Sequence, residues 1–97
     1  MNKIGYSARE EVYRALLAKH GRDVQIMKAI EELGELVQAL CKLGIGEGSL
    51  PQVAEEMADV TIMLEQLRII FKADEVVDLH MDMKIRRTAE KLGVPVV

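Results

Sequence analysis

The stretch Ala29–Leu40, AIEELGELVQAL, sets Glu31, Glu32 and Glu35 into a run of leucine, isoleucine, alanine and valine. Its apolar residues recur three and four apart, the period of a helix rather than of a strand. No lysine or arginine lies between Lys28 and Lys42 to neutralise the acids. Further along, AEEMADVTIML (Ala54–Leu64) repeats the arrangement with Glu55, Glu56 and Asp59. Two helices that look like core therefore each carry a group of acids without a counter-charge.

Working outward, the rest of the chain also reads as helix. SARE (Ser7–Glu10) has the spacing of a capping box, and Tyr13, Leu16 and Leu17 give the first helix an apolar stripe. HGRD (His20–Asp23) breaks it and offers Asp23 as the next N-cap. The second helix is expected to run to about Leu43, with Gly44 as its stop. GIGEGSLP (Gly44–Pro51) reads as a loop, and Ser49 with Gln52 forms another capping box in which Pro51 is tolerated in the first turn. The third helix extends to about Phe71. Asp74 is expected to cap a fourth, which ends before Gly93 and Pro95. No segment alternates with period two long enough to make a strand. The expectation is one all-α domain over residues 1–97, a four-helix bundle with a short first helix.

Length and composition agree. A chain of 97 residues with 49% apolar and 30% charged residues suits one globular domain. A formal charge of −3 argues against wrapping a nucleic-acid polymer, although not against a single nucleotide held through a metal. The single cysteine, Cys41, rules out an internal disulfide and fits a reducing interior. No apolar run approaches membrane length, and MNKIGYSARE lacks a signal-peptide core, so a cytoplasmic location is expected.

The second and third helices are apolar on most faces. Met27, Ile30, Leu33, Leu36, Val37 and Leu40 cover more than one stripe of the second, as do Val53, Met57, Val60, Ile62, Met63, Leu64, Leu67 and Ile70 in the third. A helix apolar on most sides is buried on most sides. One small domain offers few such positions, so self-association is expected to cover the rest.

Residues three apart in a helix share a face, so Glu32 projects with Glu35 and Glu56 with Asp59. Such acids are commonly a solvated face. Here, however, Leu43–Leu67 holds five acids and no lysine or arginine, and apolar residues flank the acids on both sides. If the two helices pack together, four carboxylates converge where water is scarce, an arrangement too costly to leave uncompensated. Oxygen-ligated Mg²⁺ or Mn²⁺ removes that objection and leaves positions for waters and phosphates.

EELGE (Glu31–Glu35) followed by EMAD (Glu56–Asp59) resembles the EExxE…ExxD signature of the all-α NTP pyrophosphohydrolase superfamily, most nearly its MazG-like branch. The resemblance spans about Gly21 to Leu92. It implies an enzyme that uses Mg²⁺ to cleave a nucleoside triphosphate to a monophosphate and pyrophosphate. By motif position it implies Glu32, Glu35, Glu56 and Asp59 as metal ligands. Glu31 also matches the motif, either supporting the ligands or orienting the water. Glu31 and Glu35 are the candidate catalytic carboxylates, with the one that takes the water's proton left open. It also favours a homodimer or homotetramer, and a lysine-then-arginine pair on the fourth helix, here Lys84 and Arg87, for phosphate contact. Phosphoribosyl-ATP is a second substrate class open to the same chemistry.

From the residues themselves, Gln25, Lys28, Glu32 and Glu35 fall on one stripe. Lys28 is placed to reach phosphate and Gln25 to bond a base or sugar. In the plainer alternative Lys28 pairs with Glu32, Gln25 is solvated, and the cations of the fourth helix are dipole partners. His20 and His80 stand apart with no Glu-x-x-His, which disfavours a di-iron bundle. Cys41 and the methionines read as packing. A non-catalytic helical oligomer that kept the bundle is the competing functional class.

Overall fold

Four helices in the order α1 (Tyr6–His20), α2 (Arg22–Gly44), α3 (Leu50–Ile70) and α4 (Asp74–Leu92) make up the computed structural model, which describes residues 1–97 and contains no strand. The α2–α3 hairpin is the centre of the molecule. On α2 the inward seam is Gln25, Ala29, Glu32, Leu36, Ala39 and Leu43, spaced four and three apart. Ala29 and Ala39 are buried there, and their small side chains let α3 approach with Val53, Val60 and Met63. Each large apolar side chain buried in this way contributes about 1.5–3 kcal/mol. α1 lies across both helices through Tyr13, Leu16 and Leu17, whereas α4 packs against α3 alone.

The helix ends are partly as expected. Ser49 Oγ accepts the Gln52 N–H at 3.3 Å and caps α3, with proline in its first turn. Gly93, left-handed at φ 71°, closes α4, and the Val94 N–H returns to the Ala89 carbonyl at 2.9 Å. Three caps differ from expectation. α1 begins at Tyr6 with Gly5 as N-cap, so Ser7 lies inside the helix and caps nothing. Gly21, at φ 86°, joins α1 to α2 in a single residue, and Asp23 falls in the first turn instead of at the cap. Asp74 likewise sits one place inside α4 after Ala73. Both aspartates still face the positive end of their helix dipole. Gly44 is the last helical residue of α2, and the chain turns at Gly46, φ 78°.

The single chain is open. Its Cα radius of gyration is 16.4 Å, against about 12.5 Å for a compact domain of this length. The outward apolar faces of α2 and α4 are exposed, where the sequence pattern alone implies burial. No helix is long and apolar enough to cross a membrane.

Candidate metal centre

The inward seam of α2 carries Glu32 at its middle, and Glu35 follows on the same face. α3 presents Glu56 and Asp59 opposite. One carboxylate oxygen from each of the four lies within 4.8 Å of the others. Glu32 is buried, Glu56 and Asp59 are half-buried, and Glu35 is at the rim. Lys28 Nζ stands 3.1 Å from Glu32 Oε1 and 3.7 Å from Glu31 Oε1. Glu32 Oε2 and Glu56 Oε2 are buried with no hydrogen-bond partner at all. Glu31 points outward to Lys28 and stays outside the cluster.

The electrostatics follow from this crowding. The negative charge of Glu32, then burial, then Glu56, push the Glu35 carboxyl above the ordinary carboxylate range. Lys28 is held charged by its hydrogen bond to Glu32 and by the nearby Glu31. Glu65, one turn and a half further along α3, is the opposite case. Arg9 donates to it through Nε at 3.1 Å and Nη2 at 3.0 Å, and Tyr13 Oη at 2.8 Å. Arg9 foremost, and Tyr13 after it, hold Glu65 below the usual range despite its burial. Where this fold leaves an acid inside, it supplies donors to both oxygens; the cluster of four receives one ammonium.

The residues fit a divalent cation. Opposite oxygens in a coordination sphere stand about 4.2 Å apart around Mg²⁺ and about 5 Å around Ca²⁺. A 4.8 Å spread is therefore the size of one such sphere. The donor set is oxygen only, which selects hard cations. The two orphaned oxygens are the groups that a cation would satisfy.

A cavity of about 410 Å³ opens beside the acids and shares Glu32 and Asp59 with them. Leu16, Val24, Ile62 and Met63 give it apolar walls, and His20, Gln25, Lys28 and Gln66 add polar groups. Gln25 is buried rather than solvated: its Nε2 donates to Gln66 Oε1 at 2.7 Å, tying α2 to α3. Gln66 in turn donates to Met63 Sδ at 3.4 Å. The clasp of Arg9 and Tyr13 on Glu65 fixes α1 over this cavity, which is how Leu16 and His20 come to line it.

The structure thus brings together Gln25, Lys28, Glu32, Glu35, Glu56 and Asp59, with Lys28 in the ion pair named as the plainer alternative. Lys84 and Arg87 are exposed on α4 and do not line the cavity within one chain. His20 and Gln66 were missed as lining residues. Gln66 was legible in principle, since Glu56, Asp59, Met63 and Gln66 repeat three and four apart as Gln25, Lys28, Glu32 and Glu35 do. No protein-family model, no curated protein and no solved structure matches the chain.

Proposed function

We propose that the chain is a divalent-metal-dependent pyrophosphohydrolase of the MazG-like type, which cleaves a nucleoside or deoxynucleoside triphosphate to its monophosphate and pyrophosphate. The observation that carries this reading is the convergence of four carboxylates on two helices, with two of their oxygens buried and unpartnered. Glu32, Glu35, Glu56 and Asp59 hold Mg²⁺ or Mn²⁺, which when bound neutralises phosphate charge and stabilises the leaving pyrophosphate.

The chain's own residues do the remainder. Lys28 adds positive charge at the mouth of the cavity, toward the phosphates. The cavity takes the base and sugar against Leu16, Val24 and Ile62, with the Gln25–Gln66 amides at hand for hydrogen bonds. Water forms the new P–O bond as the anhydride between the α- and β-phosphates breaks. Its proton passes to a carboxylate oxygen of Glu35, the most exposed of the four acids. Glu31, outside the cluster, stands 3.7 Å from Lys28 Nζ and supports the charge of that lysine. A non-catalytic oligomer would explain the exposed apolar faces but gives no reason for two orphaned carboxylate oxygens.

The test is a panel of nucleotides, phosphoribosyl-ATP included, assayed for pyrophosphate release with Mg²⁺ and with EDTA. Metal-dependent pyrophosphate release from at least one substrate is expected. Orthophosphate as the primary product contradicts the reading, and so does activity that survives the chelator.

A further inference from the structure

We propose that Met63, Gln66 and Gln25 form an oriented chain of hydrogen bonds that presents a bare carbonyl oxygen to the cavity beside the acids. That oxygen selects a nucleotide whose base donates a hydrogen from the edge facing away from the sugar. The base is taken to lie in this cavity, as in the pyrophosphohydrolase reading on which this step rests.

The chain of bonds starts at a sulfur. A thioether carries no proton, so Met63 Sδ can only accept, and it accepts from Gln66 Nε2 at 3.4 Å. With its amino group turned to Met63, Gln66 faces α2 with its carbonyl oxygen. Gln25 answers with Nε2, 2.7 Å from Gln66 Oε1. Both amides are more than nine-tenths buried, Gln25 at 5% exposure and Gln66 at 4%. Neither turns over without breaking a bond that water is not there to replace. The direction fixed at the sulfur therefore passes along the chain to its far end.

That end is Gln25 Oε1. It accepts from no group of the protein, yet it is not sealed in: the buried oxygens without partners are Glu32 Oε2 and Glu56 Oε2. It opens onto the cavity that Gln25 and Gln66 both line. An acceptor on a buried side chain, facing a cavity with apolar walls, calls for a donor from whatever fills that cavity.

Its place suits a base. Gln25 precedes Glu32 by seven residues, and Gln66 follows Asp59 by seven. Two turns of helix span about 10 Å, which leaves room for a sugar between the amides and the acids. Lys28, one turn nearer the acids, is engaged with Glu32. The polarity of the amide end thus depends on Met63. A leucine there would fill similar space and leave Gln66 free to present either end of its amide. Met63 and Gln66 are positioning residues, and Gln25 is the residue that touches the base.

The test is binding rather than turnover, measured by calorimetry with Mg²⁺ on three pairs of 5′-monophosphates. The pairs are uridine with 3-methyluridine, cytidine with N4,N4-dimethylcytidine, and adenosine with N6,N6-dimethyladenosine; the second of each has lost its edge donor. In at least one pair the unmethylated nucleotide should bind about five- to tenfold tighter, as expected for one neutral hydrogen bond. In Met63→Leu, a swap that cores tolerate, Gln66 and Gln25 can reverse together, and the ratio should fall below about twofold. Gln25→Leu should lose the ratio as well. The rise in Tm caused by Mg²⁺ should be the same in all three proteins, since no acid is altered. If Gln25→Leu fails to fold, Met63→Leu alone decides. A ratio that survives either substitution reports the bulk of the methyl groups and overturns the proposal, as does a cavity that binds none of the six nucleotides. Binding with the expected ratio but without metal-dependent pyrophosphate release leaves the oriented chain standing and removes the enzymatic reading. Pyrophosphate release without the ratio does the reverse.

Discussion

Lys28 Nζ sits 3.1 Å from Glu32 Oε1, while Oε2 of the same carboxylate is buried and bonded to nothing. That half-satisfied glutamate states the electrostatic problem of the site. One ammonium faces four carboxylates, and the half-buried guanidinium of Arg9 is already committed to Glu65. Removing any one of the four acids should therefore relieve repulsion and, on the proposed reading, remove a ligand.

Glu32→Gln, Glu35→Gln, Glu56→Gln and Asp59→Asn each test that pairing of effects. Substituting the outer partners of metal ligands costs about 10–100-fold, so loss of a ligand itself should cost at least about a hundredfold in kcat/KM. Helix content should be unchanged. Glu47→Gln, in the loop between α2 and α3, should be nearly silent. Steady-state kinetics and circular dichroism check this; near-wild-type turnover in two of the four acid variants removes the shared-metal reading.

The Gln25–Gln66 bond separates base recognition from chemistry. Gln66→Leu removes the acceptor that orients the Gln25 amide beside the cavity. A single neutral hydrogen bond is worth about 1 kcal/mol, so KM for the nucleotide should rise roughly five- to tenfold with kcat held within a few-fold. Inorganic tripolyphosphate, which has no base, should be hydrolysed equally by both proteins. A matching loss on tripolyphosphate would mean that the amide pair only supports the packing of α2 on α3.

Glu65 governs a different property, the docking of α1. Its folded pKa lies below the unfolded value near 4.5, chiefly because Arg9 donates to it. A depressed carboxyl binds fewer protons when folded, so its contribution is present above the unfolded pKa and is lost as pH falls through the folded one. Glu65→Gln should cost roughly 1–3 kcal/mol near neutral pH, a drop of several degrees in Tm. That gap from wild type should close as the pH is lowered below about 4.5. Melting curves of the two proteins across pH, at fixed protein concentration, decide it; a gap independent of pH means the Arg9–Glu65 charge contributes nothing.

The four helices and the acid pairs were legible because both rest on the helical period. Once α2 and α3 are helices, Glu32 must share a face with Glu35, and Glu56 with Asp59. Helix starts were less legible. Gly5 and Gly21 supplied the turns, so the local capping potential of Ser7 and Asp23 was never used. Gln66 escaped notice because a neutral amide in a core stripe carries no charge signal, although its burial gives it a partner in Gln25. Lys84 and Arg87 show a different limit. Periodicity orders residues around α4, but the direction in which α4 leaves α3 is set by three residues, Phe71–Ala73, with Lys72 left-handed at φ 51°. No pattern in α4 itself encodes that angle.

A metal centre can be told from a screened acidic surface without knowing the substrate. In the metal-free protein the Glu35 carboxyl is raised, first by Glu32. A group whose folded pKa exceeds its unfolded value near 4.5 contributes stability that is complete below that value and lost as pH rises through the folded pKa. Near neutral pH the empty cluster is then a destabilising feature. A cation that binds only the folded site adds RT ln(1 + [L]/Kd), about 2.7 kcal/mol at a hundredfold excess over Kd. Millimolar Mg²⁺ should accordingly raise Tm by roughly 10 °C or more, well beyond NaCl of matched ionic strength, at one fixed protein concentration. Glu56→Gln should respond far less to Mg²⁺, since it loses a ligand, and should melt above wild type in EDTA, since its own buried oxygen no longer bears charge. Equal shifts by Mg²⁺ and NaCl in both proteins would make these acids ordinary screened charges and deprive the pyrophosphohydrolase reading of its physical basis.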